Sequence, residues 1–265
     1  MIDDVKAALD TILGGAANLR NASGAGRIFE LFIMTGVAAR LQGQGFDVWL
    51  QRSDGSPINP SDLDRRFIQR GGAPSGVAPA AMGRENASVI GLRKLTSGSE
   101  WEIWNGIQFE GRSGATHEID IALVPREVGI QLRLTGGLPF GRPPVAIECK
   151  DVGQAGSVDE MRAFVARLYD LTVLRWHQPY LPFPPPTRGI YPGSNVHPFY
   201  MAQATYWETN RRTFNAIARR TGFAVGAAAM TNYYAVEPHG YVTLGSVEAA
   251  TLMDAISEWI IAECP

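Results

Sequence analysis

The chain has 265 residues, 45% of them hydrophobic, with a formal net charge of −2 and a pI near 6.1. That is enough apolar material for the core of one decorated domain, while the near-neutral balance argues against a protein that coats nucleic acid by bulk charge. Two distant cysteines, Cys149 and Cys264, form neither a disulfide framework nor a zinc spacing, and no long uncharged apolar run suggests a membrane span. With the acidic start Met1-Ile2-Asp3-Asp4, which is unlike a signal peptide, the expected compartment is a reducing cytoplasm.

Val5, Leu9, Ile12 and Leu13 recur at helical spacing and predict a helix over about 2–13, stopped by Gly14-Gly15. A second helix is expected after Gly24-Ala25-Gly26, with Ile28, Leu31, Phe32, Thr35 and Ala39 on its buried side and Glu30 in its first turn. A carboxylate there suits the helix dipole as well as any site role. The Gly24-x-Gly26 pair lacks the rest of a phosphate-loop pattern.

Phe46-Asp47-Val48-Trp49-Leu50 alternates like a first core strand, and 51–86, rich in Gly, Pro, Ser and Ala, reads as a partly irregular insertion. A strand returns at Ser88–Leu92. In Glu102–Phe109, Asn105-Gly106 between alternating apolar residues predicts a hairpin turn. Further on, Ser157-Val158-Asp159-Glu160 opens a helix from Met161 to Leu174, and the proline-rich 178–198 is a second insertion. Phe199–Ala204 is expected as a strand, Asn210–Arg220 as a helix behind the capping box Thr205-Tyr206-Trp207-Glu208, and Gly222–Val225 as another strand. An amphipathic helix with Leu252, Ile256 and Ile260 lies within a C-terminal extension, 230–265.

The chemistry concentrates in two apolar runs. One is Thr116-His117-Glu118-Ile119-Asp120-Ile121-Ala122-Leu123-Val124; the other is Val145-Ala146-Ile147-Glu148-Cys149-Lys150. Charges at the tip of such runs are costly unless paired or metal-bound. Strand alternation puts Glu148 and Lys150 on one face and Cys149 on the other. If the Asp120 strand lies alongside, two carboxylates converge to hold a hard cation such as Mg²⁺, with Lys150 beside the coordinated water. Of the 24 lysines and arginines only three are lysine (Lys6, Lys94 and Lys150), so Lys150 is not surface filler by abundance. The plainer alternative is a surface ion pair at a strand end.

Glu30, Asp120 and Glu148-Cys149-Lys150 together resemble the catalytic core of the PD-(D/E)xK nuclease superfamily, nearest its Mrr-like branch, over about Gly24 to Ala229. The resemblance implies a restriction-endonuclease-like α/β fold: a mixed central sheet flanked by helices, built as helix, three or more strands, helix and strand. The whole of 1–265 would be a single nuclease domain, with 1–22 its N-terminal helix. It also implies hydrolysis of DNA phosphodiester bonds with Mg²⁺ or Mn²⁺, in restriction or phage defence. Asp120 and Glu148 would then ligate the metal, with the Cys149 carbonyl completing its shell and Glu30 as a further ligand, while Lys150 acts on the water. A homodimer or a larger defence complex is the expected assembly.

Arg27, Arg112, His117 and Gln154 are candidates for nucleic-acid contact, as are the pairs Arg211/Arg212 and Arg219/Arg220, because phosphate binding needs only a local patch. His117 is equally readable as a hydrogen-bonded structural histidine, and Glu118, two residues before Asp120, as an additional or supporting ligand by alternation. There is no Gly-x-Ser-x-Gly elbow and no His-Glu-x-x-His. Two other functions remain open: a non-catalytic nucleic-acid-binding or assembly module of the same fold, and a structure-specific repair or junction nuclease.

Overall fold

The computed structural model describes residues 1–20, 22, 24–69, 87–111, 113–135, 137–139, 141–151, 158–171, 213–219 and 249–264. The first helix, α1 (Ile2–Leu13), buries Val5, Leu9, Ile12 and Leu13, carries Asp3 and Asp4 in its first turn, and closes on Gly14 in the left-handed conformation. A short strand, β1 (Asn18–Arg20), leads to α2 (Ala25–Leu41). Seventeen residues at 1.5 Å each make α2 about 25 Å long. It is buried almost all round its middle, on Ile33, Met34, Val37 and Ala38 among others, because α1 and a C-terminal helix cover the sides that the sheet leaves open.

The central sheet has six strands: β2 (Phe46–Gln51), β4 (Val89–Lys94), β5 (Glu100–Glu110), β6 (Thr116–Pro125), β7 (Val145–Lys150) and β8 (Phe214–Arg219). They lie in that order. Every neighbouring pair is antiparallel except β7–β8, which is parallel. The insertion after β2 contributes β3 (Arg66–Ile68), which pairs in parallel with β1 as a separate two-stranded sheet. Both short strands are absent from the sequence reading.

Helices cover both faces. On one, α1, α2 and α5 (Ala249–Glu263) share a core with Val48, Leu92, Ile103, Ile121, Val145, Ile147 and Ala216. On the other, α3 (Arg126–Thr135) and α4 (Val158–Leu171) pack Val128, Leu132, Phe164 and Leu168 on Trp104, Ile107, Ile119, Ala146 and Ile217. Gly36 lets α5 approach α2, since a Cβ there would overlap the Met253 sulfur. Leu252, Ile256 and Ile260 are buried as their spacing predicts. Among the described residues no helix is long and apolar enough to cross a membrane.

Three expectations are corrected. Asn105-Gly106 is no hairpin turn: β5 runs through it without a break, paired to β6 from Trp101–Pro125 to Glu110–Thr116. Gly106 takes the positive φ of 63° that makes Asn-Gly a turn signal, but uses it inside a strand.

The segment expected as a helix over Asn210–Arg220 contains β8. Its Phe214, Ala216 and Ala218 face the α2 core while Ile217 faces the α4 core, a period of two that suits a parallel strand covered on both sides. Finally, α2 begins at Ala25, so Glu30 stands in the second turn and the first turn has no acidic residue.

The helix expected from Met161 to Leu174 is α4, already helical at Val158 and described as far as Leu171. Between β6 and β7 the sequence reading missed α3. The expected strands Phe199–Ala204 and Gly222–Val225, the insertion 178–198, Arg112, Gln154, Arg211, Arg212 and Arg220 lie outside the described residues, as does the Arg219 side chain.

Candidate active site

β6 and β7 are laddered only through Ile121–Ile147, Ala122–Ala146 and Leu123–Val145. Beyond that point β6 stays with β5 down to Thr116, while β7 stays with β8 up to Lys150. The two strands therefore fork, and the first residues on the arms are Asp120 and Glu148. Opening a fork frees backbone donors that must find other partners. The amide N–H of Cys149 donates to Asp120 Oδ2 at 2.7 Å, so the carboxylate itself closes the crotch.

Asp120 also marks a change of face. Ile119 belongs to the α4-side core and Ile121 to the α2-side core, although residues two apart in a regular strand share a face. On β5, Ile103 and Ile107 are split in the same way around Gly106. Asn105 pairs with Ile121 and Ile107 with Ile119, leaving Gly106 opposite Asp120 and both out of the ladder. Alternation therefore does not run through Asp120, and the reason given for grouping Glu118 with it fails. Glu118, between His117 and Ile119, belongs on the α2 side, where its charge acts on Glu30.

On β7 the alternation holds. Glu148 and Lys150 share a face and form an ion pair through Glu148 Oε1. Arg167 of α4 reaches the same oxygen with Nη2 at 3.0 Å. The other oxygen, Oε2, is buried and has no hydrogen-bond partner among the described residues, in a residue only 5% exposed. An unpartnered buried carboxylate oxygen is costly, and a cation is the partner that would relieve it.

Asp120 carries the matching signature. Burial, then the negative charge of Glu148 and more weakly that of Glu30, raise its pKa to about 7, against the opposing pull of the Cys149 N–H and, less, of Lys150. Glu30 is raised too, chiefly by burial and further by Glu118 and Glu148, although a hydrogen bond from Asn105 and the charge of Arg27 oppose this. Asn105 Nδ2 donates to Glu30 Oε2 at 2.7 Å and to the Asp120 carbonyl at 3.0 Å, tying the helix to the fork. The Cys149 thiol is buried and pushed well above its usual pKa by burial, so a contribution from Cys149 to a cation would come through its carbonyl.

The charges of Glu148 and Glu30 thus act on Asp120, and that of Glu148 also on Glu30, around a fork with Lys150 and Arg167 on its α4 side. Among the described residues no group of three or more His, Cys, Asp and Glu side chains is gathered to hold a metal ion. The donor set that fits one is smaller: Asp120, the free oxygen of Glu148 and a main-chain carbonyl. That suits Mg²⁺, which is commonly held by one or two carboxylates and keeps several waters.

His117 is engaged by a different carboxylate. Its Nε2 lies 2.7 Å from Asp170 Oδ2 on α4, and Asp170 also accepts the Ser113 amide at 2.9 Å and hydroxyl at 2.6 Å. This is the hydrogen-bonded, structural reading of the histidine. Two residues at the fork escaped the sequence reading: Asn105, whose Asn-Gly signal points to a turn, and Arg167, one of many arginines with nothing local to single it out. Comparison of the chain with protein-family models, with curated proteins and with solved structures finds no match.

Proposed function

We propose that the chain is a metal-dependent nuclease of the PD-(D/E)xK type, hydrolysing DNA phosphodiester bonds with Mg²⁺ or Mn²⁺. The observation that carries this reading is the fork itself, where Asp120 and Glu148 meet beside Lys150 with one buried Glu148 oxygen left unpartnered. The order α2, then strands to β7, then α4 and a β8 parallel to β7 agrees with the restriction-endonuclease-like core, and so supports that finer fold as well. A role in restriction or phage defence, and assembly as a homodimer or in a larger complex, are proposed by the same resemblance.

Asp120 and the free oxygen of Glu148 would hold the cation, the Cys149 carbonyl would offer a third oxygen, and Glu30 would add its charge. When bound, the metal supplies a Lewis acid for the phosphoryl oxygen and a water of lowered pKa. Lys150 keeps its ammonium on the Glu148 face, about a third exposed, where it orients the attacking water and offsets charge building on the phosphoryl group. Asn105 holds Glu30 and the Asp120 backbone in register.

Purified protein incubated with plasmid, linear and single-stranded DNA, and with RNA, should cut DNA only when Mg²⁺ or Mn²⁺ is present. Asp120→Ala and Glu148→Ala should abolish the cutting while remaining folded. Wild-type protein that cuts none of these substrates with either metal, or variants that cut like wild type, would overturn the proposal.

A further inference from the structure

Both cations at the fork sit on one oxygen of Glu148. Lys150 Nζ and Arg167 Nη2 pair with Oε1, and Oε2 has no partner among the described residues. Neutralising a buried carboxylate would be served better by spreading donors over both oxygens, as happens at Glu102 elsewhere in the sheet. There Arg133 gives one nitrogen to each oxygen at 2.8 Å, with Gln51 added on Oε1 and Trp104 on Oε2 at 2.9 Å each.

We infer that Arg167 is a positioning residue that spans the fork and holds the Glu148 carboxylate turned so that Oε2 stays clear for a divalent cation. The inference rests on the metal-dependent reading above and names a residue that reading does not need. Its basis is reach. Arg167 Nη1 donates to the Glu118 carbonyl of β6 at 3.3 Å while Nη2 pairs with Glu148 of β7, so one planar group bridges the strands where their ladder has ended.

The guanidinium is braced over the Phe164 ring at 5.7 Å. One turn further along α4, Asp170 grips the same arm of β6 through His117, and the turn before it through Ser113. A lysine at 167 would keep the charge yet could not hold two acceptors in one plane, since its ammonium is a compact point charge.

Two roles therefore separate cleanly. If Arg167 only offsets charge, Arg167→Lys should behave as wild type and Arg167→Gln should bind a cation more tightly, having lost a competitor for Glu148. If it positions Glu148, both variants should weaken cation binding. Mn²⁺ titration of the full chain by calorimetry without nucleic acid, alongside the Mg²⁺ dependence of cleavage, reads the difference.

The expected result is at least a tenfold rise in Mn²⁺ Kd for both variants, with a matching rise in the Mg²⁺ needed for half-maximal cleavage. Wild-type Mn²⁺ affinity in Arg167→Lys, or tighter binding in Arg167→Gln, overturns the inference while leaving the nuclease reading standing. Should the glutamine variant fail to fold, the lysine variant decides alone. A wild-type chain that binds no Mn²⁺ sinks the inference and the metal-dependent reading together.

Discussion

Glu102 and Glu148 are both buried carboxylates on strands of the same sheet, each facing arginine from a helix on the α3 and α4 side, yet they are surrounded in opposite ways. Glu102, 0% exposed, has every lone-pair direction answered: a bidentate Arg133, Gln51 and Trp104, with Gly129 of α3 leaving the room that a Cβ would take. Arg133 in turn donates to the Ser53 carbonyl and lies over Trp104. Among the described residues, Glu148 has two cations on one oxygen and no donor on the other. A completed network suits a structural role, whereas a buried carboxylate oxygen without a donor is costly and would be relieved by a cation. On the proposed function, Glu102 belongs to the scaffold and Glu148 to the site.

The comparison breaks first at the chemistry. Glu148→Gln and Asp120→Asn should each lower cleavage at least a thousandfold, about 4 kcal/mol of barrier, and remove the rise in melting temperature that Mg²⁺ or Mn²⁺ gives the wild type. The same pair tests the pH dependence. Asp120 is raised in the folded chain to about 7 from 3.8, so the stability tied to its proton is fully present below pH 4 and is lost as pH rises through 7. Without metal, wild-type melting temperature should therefore fall from pH 4 to 8 relative to Asp120→Asn, and added Mn²⁺ should recover more at pH 8 than at pH 5. A wild-type-minus-variant difference that is flat across this range would show that Asp120 is not held near 7.

At Glu102 the expected loss is of the fold. Glu102→Ala strands a nearly buried Arg133 and should cost about 3–5 kcal/mol of stability, read by chemical denaturation. Cleavage per folded molecule should stay near wild type. A mild stability loss with a large drop in turnover would reverse the assignment of the two carboxylates.

Lys150→Ala comes next. Most turnover should vanish, while Mg²⁺ still raises the melting temperature, because in the proposed mechanism the ammonium acts on water and phosphoryl charge and does not hold the ion. Arginine should rescue only in part, its fork differing in shape from a point charge. If Lys150→Ala instead abolishes metal-induced stabilisation and leaves residual turnover untouched, the role given to Lys150 is wrong.

What was legible in the sequence follows from how local each signal is. Glu148 and Lys150 could be placed on one face because β7 is regular to its end, and Asp120 beside them because two apolar runs of this kind tend to pair. The helices α1 and α5 were legible from Val5, Leu9, Ile12 and from Leu252, Ile256, Ile260, whose 3.6 spacing faces a single core. The fork itself was not legible. It depends on Gly106 standing opposite Asp120, a tertiary pairing of two residues fourteen apart, while the Asn-Gly pair alone speaks for a turn.

β8 was misread because a strand covered on both faces has no polar side to betray its period, and Phe214-Asn-Ala-Ile-Ala suits a helix equally well. α3 was missed because its Gly129 and a short Val128–Leu132 stripe weaken the pattern, and the glycine is there for the distant Glu102 carboxylate. Arg167 is visible only once α4 lies on the fork.

The smallest expected effect, and the sharpest test of how far the site extends, is at Glu30. A carboxylate acting on a helix dipole contributes ~0.3–1 kcal/mol and only within the first turn. Glu30 sits in the second turn, and its Oε2 accepts a hydrogen bond from Asn105, which also holds the Asp120 carbonyl. Dipole stabilisation is thereby removed as its explanation, leaving two roles: adding negative charge to the proposed cation site, or merely anchoring α2 to the fork. Glu30→Gln keeps an oxygen for Asn105 and removes only the charge. Cleavage should fall at least tenfold, about 1.4 kcal/mol of barrier, with melting temperature near wild type. Unchanged cleavage in Glu30→Gln, with a drop in Asn105→Ala, would make Glu30 an anchor and confine the charge chemistry to Asp120, Glu148 and Lys150.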